Sequence, residues 1–125
     1  MIFYKPLRVR KGFTLVELIV VIAVLAIIAG VTIPLVNNYI SNANSIVAKS
    51  NGLNAFNNAK KLIIVGKNST PEIIYNNETI LDALREEGIY GITIELIDGE
   101  ISRVVSSHRN KEWTYTPDEG WIETD

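Results

Sequence analysis

Cysteine is absent from the 125-residue chain. That excludes disulfides, thiolate nucleophiles and cysteine-ligated metals, so a domain outside the cell would have to be held by packing alone. Histidine occurs once, as His108 beside Arg109 in a polar run that reads as a solvated turn. One such residue offers no Ser/His/Asp arrangement and no basis for an enzyme. No glycine-rich phosphate loop or other cofactor motif is present. Asp118 and Glu119 sit in a turn without the further oxygen ligands a calcium site needs, so no metal is expected. Basic residues are scarce after the N-terminus. Residues 13–125 hold eight Lys or Arg against fourteen Asp or Glu, a balance of −6. An acidic body of this kind argues against a direct nucleic-acid surface.

The most localised absence is that of charge. From Leu18 to Val36, 19 residues, no side chain is ionisable. As a helix this run is about 28 Å long, close to the ~30 Å hydrocarbon thickness of a bilayer. It is apolar on every face, which suits lipid better than the core of a small domain. Lys5, Arg8, Arg10 and Lys11 precede it without an acid among them, so the N-terminus is expected on the cytoplasmic side and the rest outside. A secretory signal with cleavage after the core fits poorly. The run is too long, and Ala26-Ile27-Ile28-Ala29 lacks small residues at the required spacing. Glu17 stands at the edge of this run, where an unpaired carboxylate in lipid costs at least ~2.5–3 kcal/mol. It follows Phe13 by four residues, on the same helix face.

The stretch Lys11-Gly12-Phe13-Thr14-Leu15-Val16-Glu17-Leu18 resembles the class III signal of type IV pilins and pseudopilins. The likeness covers residues 8–36: a basic leader, the glycine, the phenylalanine, the glutamate four residues on, and Pro34 toward the far end. It implies that a prepilin peptidase cuts between Gly12 and Phe13 and methylates the new α-amine of Phe13. It also implies that Glu17 meets the Phe13 amine of an adjacent subunit and sets register during assembly. Glycine at position 12 would let a protease approach the backbone closely. Gly30 and Pro34 interrupt the run, and Pro34 is expected to kink or locally unwind the helix.

Beyond the run the pattern stays helical to about residue 65, with Val36, Tyr39, Ile40, Ala43, Ile46, Val47, Leu53, Phe56, Ala59, Leu62 and Ile63 forming a stripe to be covered. Gly66 reads as the C-cap. Thr79-Ile80-Leu81-Asp82 reads as the capped start of a short helix ending at Gly88. "ITIELI" and "EISRVVS" flank Asp98-Gly99, a strong hairpin signal. "EWTYT" and "WIET" follow, separated by Pro117-Asp118-Glu119-Gly120. Ile92, Ile94, Leu96, Ile101, Val104, Trp113, Tyr115 and Trp121 should face the helix.

The expectation is an α+β fold in which a long N-terminal helix packs by its second half on a small antiparallel meander, similar to pilins. Its divisions are a leader at 1–12, an assembly helix at 13–36 and a head at 37–125. The resemblance implies a structural subunit of a pilus or pseudopilus. Its partners would be sibling subunits, the peptidase, lipid, and an inner-membrane platform with its ATPase. It would reside first in the cytoplasmic membrane and then in an extracellular filament. A single-pass anchored binding domain that never polymerises is the alternative. Asn68-Ser69-Thr70 and Asn77-Glu78-Thr79 fit the glycosylation pattern, which in a bacterial protein usually arises by chance.

Overall fold

A computed structural model describes residues 1–4 and 10–124; Lys5 and Arg8 of the expected leader lie outside the described residues. The element order is α1 (Leu15–Lys67), α2 (Asn77–Glu86), β1 (Ile92–Ile97), β2 (Glu100–His108), β3 (Lys111–Thr116) and β4 (Gly120–Thr124). The chain divides into two compact units, Met1–Asn37 and Asn38–Asp125.

In the first unit the only regular element among the described residues is the start of α1. Its apolar residues from Leu15 to Val36 are exposed throughout. Helix is assigned without interruption through Gly30 and Pro34, so the chain is not unwound there. A Cβ added at Gly30 would meet nothing within 4 Å.

The second unit is built on one four-stranded antiparallel sheet in the order β1-β2-β3-β4. This is the meander expected from the spacing of the turn residues. Asp98 (φ 54°) and Gly99 (φ 77°) both take left-handed backbone, as a two-residue turn matched to strand twist requires. The pairing steps from Glu95↔Arg103 to Leu96↔Ile101, so Ser102 is skipped. That bulge lets Ile101 and Val104, three residues apart, serve the same core.

The helix presents a different stripe from the one its bulky residues suggest. Its buried positions are Ala48, Gly52, Ala55, Ala59 and Gly66. Phe56, Leu62 and Ile63 pack beside them, as expected. Tyr39 (77% exposed), Ile46 (69%), Val36, Ile40, Val47 and Leu53 are left outside, and so is Ala43. Small side chains win because the sheet approaches closely. A Cβ on Gly52 would lie 2.6 Å from the Trp121 ring. Ser106, fully buried, donates its hydroxyl to the Ala48 carbonyl at 2.7 Å. Substituting Gly52 by alanine should therefore overpack this contact and destabilise the head by about 1–3 kcal/mol. The denaturation midpoint by tryptophan fluorescence checks this, and an unchanged midpoint counts against it.

Two helix boundaries differ from the sequence reading. Gly66 is not a C-cap. It lies inside α1, and a Cβ there would approach the Ile73 carbonyl to 2.6 Å, so glycine serves the close return of the following loop. The Gly66 carbonyl accepts from the Ile73 amide at 3.0 Å. The second helix begins three residues earlier than expected. Asn76 caps it, its side chain accepting from the Glu78 and Thr79 amides, while Thr79 is the reciprocal partner rather than the cap. Asparagine's short amide reaches those free N–H groups as well as a hydroxyl does. Ile80 and Leu84 of α2 are fully buried with Ile94 and Val104, so the core is closed by α2 as well as by the sheet.

Of the strand residues expected to face the helix, Ile92, Ile94, Leu96, Ile101, Val104, Tyr115 and Trp121 join the core. Trp113 is half-buried outside the buried cluster. Its Nε1 donates to Ser45 Oγ at 3.0 Å, and the Lys49 ammonium sits 4.6 Å from its ring centre. Phe56, Tyr115 and Trp121 form an aromatic triad with centroids 4.6 to 6.4 Å apart. With the β3–β4 pairing, this triad anchors the C-terminal strand in a chain that has no disulfide.

Candidate processing and assembly site

The site begins where α1 begins. Residues 10–14 are outside regular structure and the helix starts at Leu15. Thr14 is its N-cap by geometry. The Leu18 amide donates to the Thr14 carbonyl at 3.2 Å, which is the first helical bond. The Glu17 amide donates to Thr14 Oγ1 at 3.2 Å, and the Thr14 amide donates to Glu17 Oε2 at 2.8 Å. This is a reciprocal capping box, T-x-x-E, with Glu17 at the third helical position. The four-residue signal is present in the sequence, at the head of the apolar run.

Glu17 thus has a local role. Its carboxylate satisfies a free amide at a helix N-terminus, where the helix dipole also favours negative charge. The same bond fixes where that charge is. It is held one residue from the Gly12–Phe13 peptide, on its own chain. Phe13 is exposed, and a Cβ on Gly12 would meet nothing within 4 Å. Neither residue is needed for packing in the isolated chain. The pair is set in open, irregular backbone directly before a capped helix.

The uncharged run continues from this site. It includes a segment long and apolar enough to cross a membrane, and none of that window is buried. Residues 7–33 match the family described as the prokaryotic N-terminal methylation motif. The chain carries the class III signal of type IV pilins. The α+β head, a helix packed on a four-stranded antiparallel sheet, is pilin-like. The motif and the apolar helix together support a pilin-like precursor anchored in a membrane. The comparison with curated proteins and that with solved structures each found no match.

Other candidates have local explanations. His108 is not in a turn but closes β2, opposite Lys111 and half-buried. Asp118 and Glu119 lie in the β3–β4 turn, and among the described residues no three His, Cys, Asp or Glu side chains gather as metal ligands. The two sequon asparagines are engaged: Asn68 donates to the Ile64 carbonyl at 3.0 Å, and Asn77 Oδ1 accepts from the Leu96 amide at 2.7 Å. A groove of about 370 Å³ between α1 and the sheet is lined by Phe56, Lys60, Lys67, Glu100 and Tyr115 among others. It brings no nucleophile and base together.

Proposed function

We propose that the chain is a subunit of a type IV pilus or related pseudopilus. A prepilin peptidase removes the leader between Gly12 and Phe13 and methylates the Phe13 amine. The processed helix then leaves lipid for a bundle of like helices. The observation that carries this reading is the match of residues 7–33, with Gly12 and Phe13 directly before a fully exposed apolar helix and Glu17 in its first turn. Its energetics follow from exposure. Residues 13–36 have no cover of their own, and sibling helices replace lipid around them without exposing them to water. In the head, Tyr39, Ile40, Ile46 and Val47 are likewise exposed and outside the core.

On this reading the body is drawn from the cytoplasmic membrane to the outside by an inner-membrane platform and its ATPase. Gly30 and Pro34 form the segment able to loosen when the helix is repacked. Mass spectrometry of the protein from its native membrane tests the proposal. The mature chain should begin at Phe13 with one added methyl group. An intact leader in cells that assemble the protein into filaments overturns it. A monomeric anchored head would show no incorporation into sheared surface fibres.

A further inference from the structure

We infer that Thr14 is a positioning residue for leader removal: its capping box stops α1 at Leu15 and so keeps the Gly12–Phe13 peptide unwound. The inference rests on the cleavage proposed above and adds a role to a residue outside the scissile pair. Endoproteases take their substrates extended, because a helix hides its backbone in its own hydrogen bonds and fixes φ and ψ. An apolar helix in lipid tends to lengthen, since unsatisfied amides are costly there. Something must set its first residue. Here it is the reciprocal pair of bonds, Glu17 amide to Thr14 Oγ1 at 3.2 Å and Thr14 amide to Glu17 Oε2 at 2.8 Å. Residues 10–14 are accordingly irregular, and the scissile peptide lies immediately outside the cap.

Upstream, the next residue suited to capping is Gly12 itself, since phenylalanine caps poorly. Without a cap at 14, the helix can therefore start at Phe13, with the helical backbone reaching the bond to be cut. A cap of this kind is worth ~1 kcal/mol, or about fivefold in the population of the unwound form. Glu17 contributes the second bond, which glutamine can also make, so its charge is not needed for this role.

The test uses the full-length precursor in detergent micelles with a purified prepilin peptidase, comparing initial rates of leader release. Thr14→Ser and Thr14→Asn retain a capping oxygen and should be cut within about twofold of wild type. Thr14→Val, which keeps the shape but not the oxygen, and Thr14→Leu should be cut about fivefold more slowly. Amide exchange at Val16, whose N–H would gain the Gly12 carbonyl as its acceptor, should slow in those two variants and not in the serine or asparagine forms. If valine behaves as wild type and asparagine is slow, the enzyme reads side-chain shape and the inference is overturned. Equal rates for all four overturn it too. If the wild-type precursor is not cut at Gly12–Phe13, the failure belongs to the cleavage reading, and the exchange pattern at Val16 alone decides whether the cap sets the boundary.

Discussion

Replacing Gly12 with valine is expected to leave the leader on the chain while the head folds as before. The argument has two halves. Within the chain itself nothing requires glycine at this position. A Cβ there meets no atom within 4 Å, and the residue is not among the glycines with left-handed backbone. Valine costs the precursor essentially no stability of its own. Any requirement for a bare backbone is imposed by whatever closes around the bond, and a β-branched side chain beside a scissile carbonyl is a direct obstruction to that approach. Misplacing reacting groups by about 1 Å costs on the order of a hundredfold in rate, so cleavage should fall by that order. Two measurements in parallel make the result decisive: the processed fraction by gel shift, and the head's denaturation midpoint. A processed Gly12→Val chain would remove the case for this junction. A shifted midpoint would mean that the glycine has a structural role not visible at the site.

The elements themselves were largely legible. Period-two alternation with turn signals at Asp98-Gly99 and Pro117–Gly120 points to three or four strands in meander order, and the sheet has four; those turns depend on local chemistry alone. What the helix presents to the sheet was not legible. Periodicity picks out the bulky residues of α1, and both its faces carry apolar residues at helical spacing. The choice between them depends on how near the sheet lies, which Trp121 against Gly52 and Ser106 against Ala48 decide. Small residues line the close face and large ones are left outside. Gly66 misled for the same reason. A glycine at the end of a helical pattern reads as a cap, whereas its contact is with Ile73 in the loop that follows. At the proposed processing site, Gly12, Phe13 and Glu17 could be read from the motif. The Thr14–Glu17 reciprocity could have been read as well, since it is a fixed four-residue pattern.

Glu17→Ala should leave the leader removable, slowed by no more than about fivefold for the one capping bond lost, and should greatly reduce incorporation into filaments; Glu17→Gln separates the two roles the residue can play. If Glu17 matters only as the third residue of the capping box, glutamine suffices, because its amide oxygen can accept from Thr14 N–H. If its charge pairs with a Phe13 amine, glutamine fails as alanine does, since it leaves a cationic amine unmatched at the lipid boundary. A charge-assisted bond of about 1.5–3 kcal/mol corresponds to roughly 10–100-fold in the yield of sheared fibres, and we expect losses in that range from both variants. Normal yield from Glu17→Gln would assign the residue to capping alone. The remaining question is whose amine is paired. The carboxylate is held beside its own chain's Phe13, so pairing within the chain is available before any neighbour arrives. Mixed expression decides between them. A Glu17→Ala subunit still has an amine to offer. If pairing runs between chains, wild-type neighbours can use that amine, and the variant should enter mixed filaments above its yield alone. If pairing stays within each chain, wild-type partners bring the variant nothing, and its incorporation should not rise with their abundance.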